Sequence, residues 1–296
     1  MDEFEFIDKF LRPLASNPNA HGLTDDGASL PNAPEGKEWR ITTDTLVEGV
    51  HFRVSDSVID VAWRSLAVNV SDLVAQLAAP KFYLINISLN PRFSRADFAE
   101  GLKLAQKHFG LSLLGGDTTS TRGPVTISIT MIGLGVFGQN PLRENAKVGE
   151  GVYLLAPSPL GASKAGFEGL PEFIDDFSRP KTCFSYLPDL QRQEISAAVD
   201  ISDGILQDLG RICEASQVGS AIYLDSLPLA LTNHDPLAQI TWGEDFGLVI
   251  TSKKRPMLAD VIKIGEVIKG SCVKLINSNG QEIEVIFPGY VHDRHL

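Results

Sequence analysis

Short apolar runs, each closed by a glycine or an aspartate, succeed one another along the chain, and their period switches between that of a strand and that of a helix. Glu38 to Thr43 and Leu84 to Leu89 carry apolar and β-branched residues as strands do, and Val125 to Val136 reads as a longer strand interrupted by glycines. Between them, Asp60 to Leu77 places Val, Ala and Leu at helical spacing. Ser94 to His108 is a second amphipathic helix, ended by Gly110 before Leu111 to Leu114 returns to a strand. The first half is therefore mixed α/β. Turn-forming Phe137-Gly138-Gln139-Asn140-Pro141 separates it from a second α/β region, which predicts two domains, residues 1–138 and 139–296. In the second, strands are expected at Gly151 to Ala156, Ala197 to Ile201, Ala221 to Leu224, Leu248 to Thr251 and Glu282 to Phe287. Helices are expected at Gly161 to Glu168 and Gly204 to Ala215, and Pro171 to Asp189, without a clear period, reads as loop with short helix.

A chain of 296 residues can bury a substantial core, and no segment nears the roughly 20 uninterrupted apolar residues of a membrane-spanning helix. The acidic opening Met1-Asp2-Glu3-Phe4-Glu5-Phe6 lacks the basic and apolar regions of a secretory signal. Cys183, Cys213 and Cys272 are far apart and form no C-x-x-C pair, so neither a disulfide framework nor a zinc site is indicated. These features predict a reduced, cytoplasmic protein with no membrane partner. With 26 basic and 37 acidic residues the formal charge is −11, which disfavours nucleic acid and repels any phosphate ligand unless a cation intervenes.

Aspartates stand where structure alone does not demand them. Asp25-Asp26 lies in a turn, Asp44 ends the strand Arg40-Ile41-Thr42-Thr43, Asp117 follows Leu114-Gly115-Gly116, and Asp200 and Asp203 flank Ile201-Ser202 at a strand-to-helix junction. Asp72 lies inside an apolar helical stretch with Val68, Asn69, Ala75 and Gln76 as its adjacent-turn neighbours, none of them a cation. Carboxylates gathered in this way repel one another and are costly to desolvate, so their convergence implies a hard cation such as Mg²⁺, which bridges carboxylates to substrate phosphates. Gly115, Gly116 and the hydroxyls of Thr42, Thr43 and Ser202 suit close approach of backbone and small side chains to phosphate oxygens. Each residue also has a plainer role open to it: Ser202 or Asp203 as a helix cap, Asp25-Asp26-Gly27 as a turn, Asp44 and Asp117 as strand ends, Asp72 on a solvated face. No G-x-x-x-x-G-K-[ST], no H-R-D and no H-E-x-x-H occurs; Asp245-Phe246-Gly247 spells D-F-G but without an H-R-D before it, and the G-x-G-x-x-G string Gly133 to Gly138 starts within the Val125 to Val136 strand run rather than after a strand.

Read in order, the motifs resemble the aminoimidazole ribonucleotide synthetase-like superfamily, and within it the thiamine-monophosphate kinase family. The matching segments are Thr24-Asp25-Asp26-Gly27-Ala28, the run Thr42 to Phe52 (TTDTLVEGVHF), Ala67 to Leu73 (AVNVSDL), Gly115-Gly116-Asp117-Thr118-Thr119, Asp200-Ile201-Ser202-Asp203-Gly204 and Gly243-Glu244-Asp245-Phe246. The resemblance implies a two-domain α/β (α+β) fold. Its N-terminal ATP- and Mg²⁺-binding domain pairs its sheet with that of a second subunit in a homodimer, and its C-terminal α/β domain completes the substrate site. It implies Asp26, Thr42, Thr43, Asp44, Asp72, Asp117, Asp200 and Asp203 as magnesium ligands. Gly116, Asp117, Arg143 and Ser202 would contact ATP, and His51, Glu244 and Tyr290 would face thiamine monophosphate. The implied activity is Mg²⁺-dependent in-line transfer of the ATP γ-phosphoryl to thiamine monophosphate, with no covalent nucleophile. Another ATP-dependent activity of the superfamily, or a non-catalytic nucleotide-binding descendant, stands as the alternative.

Overall fold

Alternation along Lys37–Val47 (β1) turns Thr42, Asp44 and Leu46 to one face and the more exposed Ile41, Thr43 and Thr45 to the other. This strand belongs to the first of two units into which the computed structural model, describing residues 3–23 and 28–291, divides: Met1–Val74 with Ala78–Phe137, and Gly138–Leu296 with Ala75–Leu77. The first unit continues with helix α1 (Val58–Ala75), β2 (Ala79–Leu89), α2 (Arg95–Phe109), β3 (Ser112–Ser120) and β4 (Thr126–Val136). The sheet order is β1-β4-β2-β3, with β2 and β3 parallel and the other pairs antiparallel. Its inner face presents Tyr83, Ile85, Ile87, Ile127, Ile129 and Met131, all nearly inaccessible. Each such side chain contributes about 1.5–3 kcal/mol when fully buried.

Helix α2 carries its own stop and start signals: Ser94 Oγ accepts the Asp97 N–H at 3.3 Å, and Gly110 closes the helix at φ 67°. Helix α1 buries Val61, Ala62, Leu66, Ala67, Val70, Leu73 and Val74. The two helices touch at Gly101, where a Cβ would come within 2.2 Å of the Ile59 carbonyl oxygen and 2.7 Å of the Ala62 Cβ.

The second unit holds a seven-stranded sheet: β5 (Gly151–Leu155), β6 (Ala197–Asp200), β7 (Gly219–Tyr223), β8 (Leu248–Ser252), β9 (Val261–Ile268), β10 (Val273–Ile276) and β11 (Glu282–Ile283). Their order is β11-β10-β7-β9-β5-β8-β6, antiparallel except for β7 and β10. Helices α3 (Ala162–Phe167) and α4 (Ile205–Ser216) flank it, and Val152, Leu154, Val199, Ile205, Leu209 and Ile264 belong to one buried cluster. Two features depart from the sequence expectation. Strands β9 and β10 were not anticipated, because Gly265 and the turn residues 270–272 break the apolar alternation there. The strand expected over Glu282 to Phe287 pairs only at Glu282–Ile283; beyond it the chain leaves the sheet, with Ile286 75% and Phe287 62% exposed.

The α1–α2 contact makes a test of the packing. Gly101→Ala gains about 1 kcal/mol of helix propensity, but overpacking against backbone costs about 1–3 kcal/mol. The expected result is a net loss of stability, read as a lower urea midpoint.

Candidate functional site

In the first unit the Thr42 hydroxyl donates to Asp72 Oδ2 at 2.5 Å, so the aspartate near the C-terminal end of α1 is held against strand β1. Asp44, two residues along β1, lies on the same face as Thr42. Strand alternation sends Thr43 the other way, where its hydroxyl donates to the Ile129 carbonyl at 2.9 Å and lies 3.3 Å from Thr130 Oγ1. The pairing register gives a row Thr45–Ser128–Asn86–Asp117 across β1, β4, β2 and β3, and Thr45 Oγ1 donates to Ser128 Oγ at 3.0 Å. Asp117 thus shares a face with Thr43 and Thr45 rather than with Asp44, and β1 and β3 are the two edges of the sheet. Three strand spacings, roughly 14 Å, separate them.

Gly116 sits in β3 at φ 147°, where a Cβ would come within 1.8 Å of the Ile85 carbonyl oxygen, so glycine alone fits beside Asp117. His51 follows β1 in a turn. Its Nδ1 accepts the Val47 N–H at 3.0 Å, which leaves the proton of the neutral ring on Nε2 as a donor. Asp26 lies outside the described residues.

In the second unit, three sequence-distant segments meet. The main-chain oxygen of Ser202 accepts the Glu244 N–H at 2.9 Å, that of Ile201 accepts the Phe246 N–H at 2.9 Å, and that of Asp203 accepts the Tyr290 N–H at 2.8 Å. Gly243, at φ 89°, permits this approach: a Cβ there would come within 2.3 Å of the Ser202 oxygen. Asp200, buried at the end of β6, together with Ser202, Asp203, Glu244 and Tyr290, therefore occupies one locality. Arg143 is not part of it. Its carbonyl accepts the Ser216 hydroxyl at 2.6 Å at the C-terminal end of α4, a helix roughly 18 Å long whose other end follows Ser202.

Three residues of this locality were not singled out in the sequence. Asp208 Oδ2 accepts the main-chain N–H groups of Ser202, Asp203 and Gly204 at 3.0, 3.0 and 3.1 Å. Arg211 ion-pairs with Asp203, and Gln207 Nε2 donates to Asp203 Oδ2 at 3.2 Å. A signal for Asp208 exists: it stands at the helical spacing of Ile205, Leu209 and Ile212, a carboxylate on the apolar face of α4. Burial pushes the Asp208 carboxyl up to about 7 and the Asp203 charge adds to it, against the N–H groups of Asp203 and Gly204 and the Arg211 charge. Asp245, also buried, rises to about 8 from desolvation, although the N–H groups of Gly161 and Ser163 favour its charged form. The amides of the loop that leads into α4 are thus already engaged by Asp208. Asp200 and Asp203 could meet a phosphate ligand here only through a cation, and the Ser202 hydroxyl directly.

Among the described residues, no three His, Cys, Asp or Glu side chains gather at metal-ligand spacing. The donors that do gather are all hard: the Thr42 hydroxyl and the Asp44 and Asp72 carboxylates in one unit, and Asp200 and Asp203 in the other. That chemistry fits Mg²⁺ and does not fit a soft metal.

Residues 24–135 match the model of the AIR synthase related protein N-terminal domain. With the two-sheet α/β architecture, this defines the class as the AIR synthase-like superfamily. Over 96% of its length, and 94% of the relative's, the chain is 33% identical to a thiamine-monophosphate kinase of Buchnera aphidicola subsp. Schizaphis graminum. Among solved structures, the thiamine-monophosphate kinase of Stenotrophomonas maltophilia superposes with a TM-score of 0.80 at 28% identity, over 96% of this chain and 98% of that one. AaThiL complexed with AMPPCP and TMP gives 0.77 at 28% identity, over 98% and 97%. The chain belongs to the thiamine-monophosphate kinase family.

Asp208 yields a stability test. Truncation to alanine strands three amides, each costing about 1–3 kcal/mol when buried and unpaired, so Asp208→Ala should lose at least about 3 kcal/mol. A folded-state value near 7 against an ordinary 3.8 means the fold favours the neutral acid. This group's contribution is complete below about pH 4 and is lost as pH rises through 7. Asp208→Asn keeps an acceptor and stays neutral, so its urea midpoint should fall less between pH 5 and pH 8 than that of the unsubstituted protein.

Proposed function

We propose that this chain transfers the γ-phosphoryl group of ATP to thiamine monophosphate, giving thiamine diphosphate and ADP, in a Mg²⁺-dependent reaction. The observation that carries the reading is the Asp72 carboxylate fixed by the Thr42 hydroxyl beside Asp44, in a chain of this family. Support for the ligands comes from the related AaThiL structure, whose complex contains AMPPCP and TMP. The test is steady-state ADP formation: it should require both Mg²⁺ and thiamine monophosphate, and ADP formation indifferent to the acceptor would refute the reading.

Bound Mg²⁺ supplies charge neutralisation and alignment for two anions that an acidic protein would otherwise repel. Asp44, Asp72 and the Thr42 hydroxyl would hold it in the first unit, and Asp200 and Asp203 in the second. Thr43, Asp117 and Asp26 belong to the same proposed set, with Gly116, Asp117, Arg143 and Ser202 toward ATP. The P–O bond to the γ-phosphorus breaks toward ADP as an oxygen of the acceptor phosphate bonds to it. That oxygen is already ionised near neutral pH, so neither a covalent nucleophile nor a general base is needed. His51 offers its Nε2 proton toward the acceptor phosphate, Glu244 places a carboxylate for the thiazolium cation, and Tyr290 supplies an aromatic contact.

A homodimer is part of this reading. Asp117 and Thr43 lie on the sheet face opposite Asp44, at edges that one sheet keeps apart, and Ile41 on that outer face is 59% exposed. A second copy pairing its sheet on this face would bring one subunit's Asp117 edge toward the other's Asp44 edge. The cytoplasm is the proposed setting, supported by three free cysteines. No helix among the described residues is long and apolar enough to cross a membrane.

Two substitutions check the assignments. Asp72→Asn retains an acceptor for the Thr42 hydroxyl but removes the charge. It should lower kcat at least about a hundredfold and leave the metal-free melting temperature unchanged or higher. It should also shrink the rise in melting temperature that Mg²⁺ and ATP produce. Normal turnover by this variant would remove Asp72 from the site. Glu244→Gln should raise the KM for thiamine monophosphate while leaving that for ATP unaltered; equal weakening of both would count against its place at the acceptor.

A further inference from the structure

We propose that Gln207 is a positioning residue that ties Tyr290 to the Asp203 carboxylate, so that the acceptor contact and the metal contact move together. The inference rests on the reading of Asp203 as a metal ligand and Tyr290 as an acceptor contact. A primary amide carries two N–H donors, and Gln207 Nε2 has an acceptor for each: Asp203 Oδ2 at 3.2 Å and the Tyr290 main-chain oxygen at 2.6 Å. The Tyr290 N–H returns to the Asp203 main-chain oxygen at 2.8 Å, closing a ring through Asp203, Gln207 and Tyr290. Gly289 lies tight beneath it, for a Cβ there would come within 2.4 Å of the Asp203 oxygen and 2.6 Å of the Gln207 Cβ.

The footing of this ring is rigid. Gln207 stands in the first turn of α4, one residue before Asp208, whose carboxylate holds the preceding loop by three amides. Arg211, one turn further on, supplies charge to the same Asp203 oxygen; Gln207 adds the link to Tyr290. Reorientation of the Asp203 carboxylate on cation binding is therefore transmitted to the segment that carries Tyr290. Seating the acceptor on Tyr290 acts back on Asp203, as reciprocity of coupled binding requires.

The test uses the whole enzyme and Gln207→Met, which keeps the side-chain length without the donors. Gln207 lines a groove of about 600 Å³ together with Leu206, Gly210 and Arg211, which leaves room for the thioether. The expected result is an increase of about tenfold in KM for thiamine monophosphate with KM for ATP within about twofold, a split that loss of acceptor positioning produces. Raising Mg²⁺ should lower KM for thiamine monophosphate in the unsubstituted enzyme and do so less in the variant. Gln207→Ala should show the same split. Adding Gln207→Met to Tyr290→Ala should cost little beyond Tyr290→Ala alone, because Gln207 acts on the acceptor only through where it places the Tyr290 side chain. If Tyr290→Ala raises this KM and Gln207→Met leaves it unchanged, the link is refuted and the acceptor reading stands. If Tyr290→Ala leaves it unchanged, the acceptor reading itself fails and the inference falls with it. A lowered melting temperature with equal rises in both KM values would show a structural role and overturn the proposal.

Discussion

Several buried and half-buried carboxylates in this chain are oriented by neutral donors, and the local architecture of both units depends on those contacts. Asp72 receives the Thr42 hydroxyl, Asp208 three main-chain amides, Asp245 the Gly161 amide, and Glu48 both the Asn90 amide and the Val125 N–H. A cation salt-bridged to each would have satisfied the charge more fully, but it would also have neutralised it. Neutral donors orient a carboxylate without neutralising it, although burial lifts Asp208 and Asp245 toward the neutral acid. In a protein of formal charge −11 that binds phosphates, this is the arrangement that keeps a cation in demand.

Other carboxylates have a cation as well: Asp203 pairs with Arg211, Glu48 has Arg92 at 3.9 Å and Asp176 has Lys181 at 3.0 Å. Asp208, wholly buried and lifted toward neutrality by desolvation, shares the Arg211 charge with Asp203: the guanidinium hydrogen-bonds Asp203 and lies 3.8 Å from Asp208 Oδ1. The same helix supplies Gln207, Asp208 and Arg211 within two turns. The loop that precedes α4 is thus shaped by the helix that follows it.

Local signals made much of the fold legible. The cap at Ser94 and the stop at Gly110 bracket α2, and the β-branched run from Val125 to Val136 foretold β4. What was illegible depended on partners far away in sequence. Strand β9 is interrupted by Gly265, and the apolar run at Ile286 and Phe287 is largely exposed rather than paired into the sheet. The aspartates were visible as residues, but the contact of Asp72 with Thr42 spans thirty positions and the meeting of Asp203 with Tyr290 spans eighty-seven, which no periodicity encodes. Asp208 was overlooked because a carboxylate in a first helical turn reads as an ordinary dipole complement; its apolar neighbours at helical spacing were the better clue.

The two-residue period of a strand also limits how the first unit can use its matching segment. Thr42 and Asp44 cannot share a face with Thr43 and Thr45, so a TTDT run sends its oxygens to both sides of β1. The inner set is met by α1 through Asp72, within the unit. The outer set lies in a row with Ser128, Asn86 and Asp117, on a polar, hydroxyl-rich face that includes the exposed Ile41. On that face Thr43 lies 3.3 Å from Thr130 Oγ1 and Thr45 donates to Ser128, cross-strand hydroxyl pairs that tie β1 to β4. In the proposed homodimer, it is this outer row that a second copy's sheet would meet, while the inner set is already met by α1 within the unit.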